Sequence, residues 1–302
     1  MDYLFLVVGV LAGTMKSVVT RCIRADGFLR TMLVNAAAFF VAFVVIFLSG
    51  FSDLRQGIRL PWPIVIGNAL SIFFSQIALL KAIEYGGMAL STLFYSCGFV
   101  ISTAWGCVRY AERLNAFHVI GVIAVVASLA LVVKREPGRP FRFRWLIFAV
   151  CGMIFSGFIG ITQKLFVTDY AAISLNVFLC AVFAVNFVIS GILCAIFFFA
   201  KNRRTDLGDG EEKRRICIGR KSVICTIALG LILGIGNKLN TYLAGALPSV
   251  IVFPVLNGGT IVLSAIVSAI VFKEKLAVIQ KIGIAVCVFA ILCIACGQYA
   301  AG

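Results

Sequence analysis

Residues 109–114, Arg109-Tyr110-Ala111-Glu112-Arg113-Leu114, and residues 271–276, Val271-Phe272-Lys273-Glu274-Lys275-Leu276, are two versions of one short pattern, 162 positions apart. Each follows a long apolar run, sets an acidic residue before a basic one and a leucine, and leads into another apolar run with a glycine at the matching place, Gly121 or Gly283. A second match lies upstream, where Gly9, Thr14 and Lys16 recur as Gly157, Thr162 and Lys164, displaced by 148 positions. The displacements differ by 14 residues, which a longer connection inside the second half absorbs. Landmarks that return in the same order read as an internal repeat.

Composition says what the repeat is made of. Of 302 residues 62% are hydrophobic and 13% charged, with a mean hydropathy of +1.09, more apolar surface than a water-soluble globule can hide. A run of about 20 apolar residues spans the roughly 30 Å hydrocarbon core of a bilayer. Ten such runs are predicted, at about residues 3–20, 30–49, 62–82, 87–108, 116–133, 145–167, 172–199, 222–246, 248–272 and 277–297. The runs are continuous rather than alternating, which predicts helices and not a barrel. The first lacks a basic leader and a cleavage pattern, so it reads as a retained helix. The expected architecture is all-α and polytopic: ten transmembrane helices as two inverted five-helix repeats, residues 1–136 and 145–302, joined by a basic linker at 137–144. Five spans per unit is an odd number, so the second unit enters the membrane upside down relative to the first.

The net charge of +15 is sorted by connection. Twenty of the 27 Lys and Arg residues follow odd-numbered spans, among them Arg21, Arg144, Arg204, Arg220 and Lys281, while even-numbered connections carry only Arg55, Arg59, Arg109 and Arg113. The positive-inside rule then places the odd loops in the cytoplasm and both termini outside it, in a multi-pass protein of the plasma (cell inner) membrane. This sorting accounts for the bases without a nucleic-acid partner. Membrane lipid and a small-molecule substrate are the expected partners, and a homodimer is compatible with the sequence.

On these grounds the chain resembles the drug/metabolite transporter superfamily, in its EamA-like branch. The resemblance covers the whole length and rests on the two five-helix units, on Glu112-Arg113-Leu114 and Glu274-Lys275-Leu276, and on Pro248, Phe253, Pro254, Asn257, Gly258 and Gly259 near the ninth span. It implies a carrier fold and leaves the substrate open. Thr92 stands where Pro254 would fall at the same displacement, so the fourth span is expected to be less kinked than the ninth.

A charge inside a bilayer is costly and counts as a functional candidate by default. Lys238 is the leading one, about eight residues or roughly 12 Å from the end of its span, with Asn237 and Asn240 beside it and Gln76 at its repeat-related position. The plainer alternative is a structural lysine bonded to carbonyls of a neighbouring helix. Lys16 and Lys164 lie nearer their helix ends, where snorkelling competes, yet each shares a face with glycines that point toward protein. Gln163, Tyr95 and Asn257 add neutral hydrogen-bonding groups, and the Pro254–Gly259 stretch is expected to free backbone along a pathway.

The carboxylates are informative by position. All lie in loops or at span margins, with Glu84 able to pair with Lys81, so the chain lacks the embedded acid that a proton-coupled exporter of cations uses. The expected activity is secondary transport of a small neutral, zwitterionic or anionic metabolite by alternating access. The rivals are an obligate antiporter of phosphorylated or nucleotide-linked metabolites and a channel or receptor-like membrane protein. Eleven cysteines without metal-site spacing and one histidine, His118, without a catalytic constellation predict no metal, no cofactor and no enzyme.

Overall fold

A computed structural model describes residues 2–23, 28–51, 60–110, 116–133, 143–205, 220–273 and 277–299. Among these the chain is helical and has no strand: α1 (Asp2–Cys22), α2 (Phe28–Ser49), α3 (Trp62–Gly86), α4 (Met88–Cys97), α5 (Phe99–Tyr110), α6 (Ala116–Val133), α7 (Phe143–Asp169), α8 (Leu175–Thr205), α9 (Arg220–Ala246), α10 (Ser249–Ile270) and α11 (Val278–Tyr299). Helix closes every backbone hydrogen bond within its own segment, which a chain of this apolarity requires in lipid. Eight segments are long and apolar enough to cross a membrane: α1, α2, α3, α4 with α5, α7, α8, α9, and α10 over Val252–Ile270. Their outer faces carry exposed Leu48, Phe199 and Ile270. The chain is a multi-pass membrane protein. Glu112-Arg113-Leu114, Glu274-Lys275-Leu276 and residues 137–142 of the expected linker lie outside the described residues, and α7 already begins at Phe143.

Two apolar cores hold the bundle. One joins α1, α4, α10 and α11 around Leu6, Leu93, Phe94 and Val252; the other joins α2, α3, α8 and α9 around Phe39, Ile72, Phe183 and Leu229. The packed pairs are α6 with α11, α3 with α7, α2 with α8 and α9, α1 with α9 and α10, and α10 with α4. Contacts between helix ends sort them into two layers. Tyr242 Oη near the end of α9 donates to Asp2 Oδ1 at the start of α1 (3.3 Å), while Arg21 Nη1 at the end of α1 donates to the Ile83 carbonyl at the end of α3 (3.3 Å). Lys81 pairs with Glu84 at 2.7 Å, as their spacing suggests.

Small residues set how closely these helices cross. A Cβ added to Gly157 would lie 2.7 Å from Ile101 Cβ and 2.8 Å from the Gly98 carbonyl oxygen, and Ser102 Oγ donates to the Gly157 carbonyl at 3.1 Å. Here the fourth span breaks into α4 and α5. Gly98 N–H bonds back to the Tyr95 carbonyl at 3.3 Å and Ile101 N–H to the Gly98 carbonyl at 3.0 Å, a tightened turn pressed against α7. The interruption thus falls in the fourth span, expected to be the less kinked of the two, and not at Pro254. α10 runs unbroken through Pro254, and Asn257 Nδ2 caps the Phe253 carbonyl at 2.7 Å. Close packing against a neighbour, rather than proline, locates the interruption. Between α3 and α4 the chain turns on Gly87 alone, whose φ of 88° and ψ of 169° only glycine holds without strain.

Gly157→Ala is expected to destabilise the protein by about 1–3 kcal/mol through overpacking. Gly191→Ala, which meets nothing within 4 Å, is expected to be neutral or stabilising by up to about 1 kcal/mol. Thermal unfolding of both variants in detergent checks the contrast.

Candidate functional site

On α1, Gly9, Ala12, Gly13, Lys16 and Ser17 follow the i, i+3, i+4 spacing of one helical face. The small members let α10 approach: a Cβ on Gly9 would meet Leu256 Cδ2 at 2.6 Å and one on Gly13 would meet Thr260 Oγ1 at 2.6 Å. The same face borders a cavity of about 120 Å³, walled also by α3, α4, α5, α7, α9 and α10. Its volume approaches that of an engineered cavity of about 150 Å³ that holds benzene, so a ligand of about six heavy atoms fits it as it stands.

The polar groups of this cavity fall into two sets. Lys16 Nζ, six residues from the end of α1, donates to Tyr95 Oη at 2.8 Å and lies 4.4 Å from the centre of the Tyr95 ring. The tyrosine presents both an acceptor and a negative π-face to the ammonium. Toward the opposite membrane face, Gln163 Nε2 donates to Asn237 Oδ1 at 3.1 Å, and Asn237 Nδ2 donates to the Leu233 carbonyl at 2.9 Å. Asn240 and Thr92 also line the cavity; Asn240 Oδ1 and Thr92 Oγ1 are buried without a protein partner. Thr92 is only 1% exposed, and other helical threonines, such as Thr14, Thr241 and Thr260, spend their hydroxyls on the carbonyl four residues earlier. Among the described residues that line the cavity, Lys16 is the charged one and none is a carboxylate.

Of the candidates read from sequence, Lys16, Tyr95, Gln163, Asn237, Asn240 and Asn257 meet at this cavity. Lys238, Gln76 and Lys164 do not line it. Lys238 Nζ donates to Ser49 Oγ at the end of α2 (3.1 Å). Helical geometry explains this, because Leu233, Gly236, Asn237 and Asn240 share the inward face and a residue one step beyond Asn237 is turned about 100° from it. Lys164 Nζ donates to the Ala244 carbonyl at 3.0 Å, close to the end of α9, and stands 5.9 Å from the centre of the Tyr110 ring. Gln76 is fully buried, and neither side-chain amide atom has a hydrogen-bond partner. Thr92, Ser96, Ser102 and Ser156 also belong to the wall and were not singled out from sequence. Their signal is weak, since hydroxyls at helical spacing commonly serve helix packing.

The sequence pattern of the EamA-like transporter family matches residues 143–296, from α7 into α11. The chain belongs to that family. These are membrane transporters of the drug/metabolite type, consistent with a polar cavity inside a bundle of apolar helices. No curated protein matches this EamA-like chain. A solved crystal structure of a protein superposes on it with a TM-score of 0.68 at 16% sequence identity, over 99% of this chain and 98% of its own; the likeness is one of fold.

The Lys16–Tyr95 contact is part-buried and charge-assisted, so a double-mutant cycle with Lys16→Met and Tyr95→Phe is expected to give a coupling of about 1.5–3 kcal/mol in thermal unfolding. The exposed Lys238–Ser49 pair, tested with Lys238→Met and Ser49→Ala, is expected to give a coupling within about 0.5 kcal/mol of zero.

Proposed function

We infer that this EamA-like protein is a secondary transporter that carries a small polar metabolite across the plasma (cell inner) membrane by alternating access, with α6 and α11 completing ten spans in two inverted five-span units. Exchange of the two units supports this reading. Counting α4 with α5 as one span, the exchange turns α3·α7 into α9·α1, α2·α9 into α8·α3, and α1·α10 into α7·α4, all of which are packed pairs, and it returns α6·α11, α2·α8 and α4·α10 to themselves. The cavity wall comes from three exchangeable pairs, α1 with α7, α3 with α9, and α4 and α5 with α10. A site shared equally by two opposed units is what alternating access requires. Charge-based sidedness puts the start of α1 and the end of α9, which touch through Asp2 and Tyr242, on the extracytoplasmic face.

One asymmetry carries the inference. Lys16 on α1 reaches Tyr95 on α4, whereas its repeat mate Lys164 on α7 is turned to Ala244 on α9. Tyr95 shifted by 162 positions is Asn257 on α10. Two units with the same potential contacts but different contacts made describe one of two conformations. In the opposite conformation Lys164 engages Asn257 while Lys16 releases Tyr95, and the cavity changes the side on which it is accessible.

The test is counterflow in proteoliposomes loaded with a mixture of small polar metabolites. A carrier exchanges internal for external labelled solute beyond equilibrium, and that is the expected outcome. Simple dissipation of every imposed gradient, without exchange, would mark a channel and refute the carrier reading.

A further inference from the structure

The geometry points to a small hydroxy-monocarboxylate as the substrate class of this cavity, its carboxylate on Lys16 and its hydroxyl toward the Gln163–Asn237–Asn240 amides. This rests on the carrier reading and narrows it. Three observations lead there. The described wall bears a single positive charge and no negative one, and Lys16 donates to a neutral hydroxyl, that of Tyr95. An ammonium has three donors, so a carboxylate can join without displacing the tyrosine. A monoanion balances that charge, whereas a dianion such as phosphate leaves one charge uncompensated and a cation adds a second like charge in a poorly solvated space.

Size and polarity set the rest of the molecule. A cavity of about 120 Å³ admits about six heavy atoms as it stands, the size of a short hydroxy acid. Asn240 Oδ1 and Thr92 Oγ1 are buried polar atoms of the wall with no protein partner, a cost that a ligand bearing a donor can remove. Amide and hydroxyl oxygens suit a neutral O–H donor; a primary ammonium would lack the carboxylate partner that offsets its desolvation. Together the two polar sets offer a cation for a carboxylate and oxygen acceptors for a hydroxyl, the two functional groups of a short hydroxy acid.

Thermal shift of the purified protein in nanodiscs, with glycolate, lactate, propionate, ethanolamine and inorganic phosphate as probes, tests this. Glycolate and lactate are expected to raise the unfolding temperature with saturating concentration dependence, propionate to act at least about tenfold more weakly, and phosphate and ethanolamine to give no saturable shift. Lys16→Gln is expected to weaken lactate roughly 10–100-fold, while Lys16→Arg retains it within a few-fold and the exposed Lys221→Gln leaves it unchanged. Ethanolamine or phosphate protecting as well as lactate overturns the assignment, as does a folded Lys16→Gln protein that binds lactate like the parent. Counterflow separates this failure from failure of the carrier reading: exchange of some other labelled solute, with lactate inert, sinks the hydroxy acid alone, whereas absence of exchange for every solute sinks both.

Discussion

Everything polar in this bundle depends on how closely a few helices can cross. Gly157 lets α7 lie against the Gly98 turn, and Gly9 and Gly13 let α1 lie against Leu256 and Thr260 of α10. Lipid tails offer helices no hydrophobic reason to associate, so surface fit and short-range dispersion take that role, and small residues gain most from it. The crossings also shape the space between them. Where glycine and serine line a crossing, backbones nearly touch; one turn farther along α1, the same face opens to give Lys16 room.

That lysine is tolerable only because of its surroundings. An ammonium stripped of water costs several kcal/mol unless hydrogen-bond acceptors and ring electrons replace the hydration, and Tyr95 supplies an oxygen and a π-face together. A carbonyl near the end of α9 does the corresponding work for Lys164. The two lysines thus occupy unlike environments. On the proposed reading of two exchangeable units, this difference marks which unit is engaged, and the Tyr95–Asn257 correspondence names the contact proposed for the other conformation.

Much of the fold was legible before any coordinates. Apolar run length foretold an all-helical, multi-pass bundle, and eight of the helices are long and apolar enough to span, because lipid and backbone hydrogen bonding leave few alternatives to a bundle of helices. Family membership was readable for the same reason. The site was readable in part. Six of the nine candidate residues line one cavity, yet Lys238, favoured for its depth along the helix, lies off the cavity face. Depth is a one-dimensional quantity, and facing is an angular one that depends on which neighbour a helix packs against. Thr92 was noticed only as a missing proline, since nothing in a sequence tells whether a hydroxyl bonds its own helix or is left without a partner.

The exchange of lysine contacts is the claim on which the mechanism turns. Its most direct measurement is a structure of the protein trapped with its cavity opened in the other transport conformation. Lys164 Nζ should then lie within hydrogen-bond reach of the Asn257 side chain, with Lys16 Nζ drawn away from Tyr95 Oη beyond its present 2.8 Å. A structure so opened in which the Lys16–Tyr95 bond is intact and Lys164 still rests on the Ala244 carbonyl would contradict it.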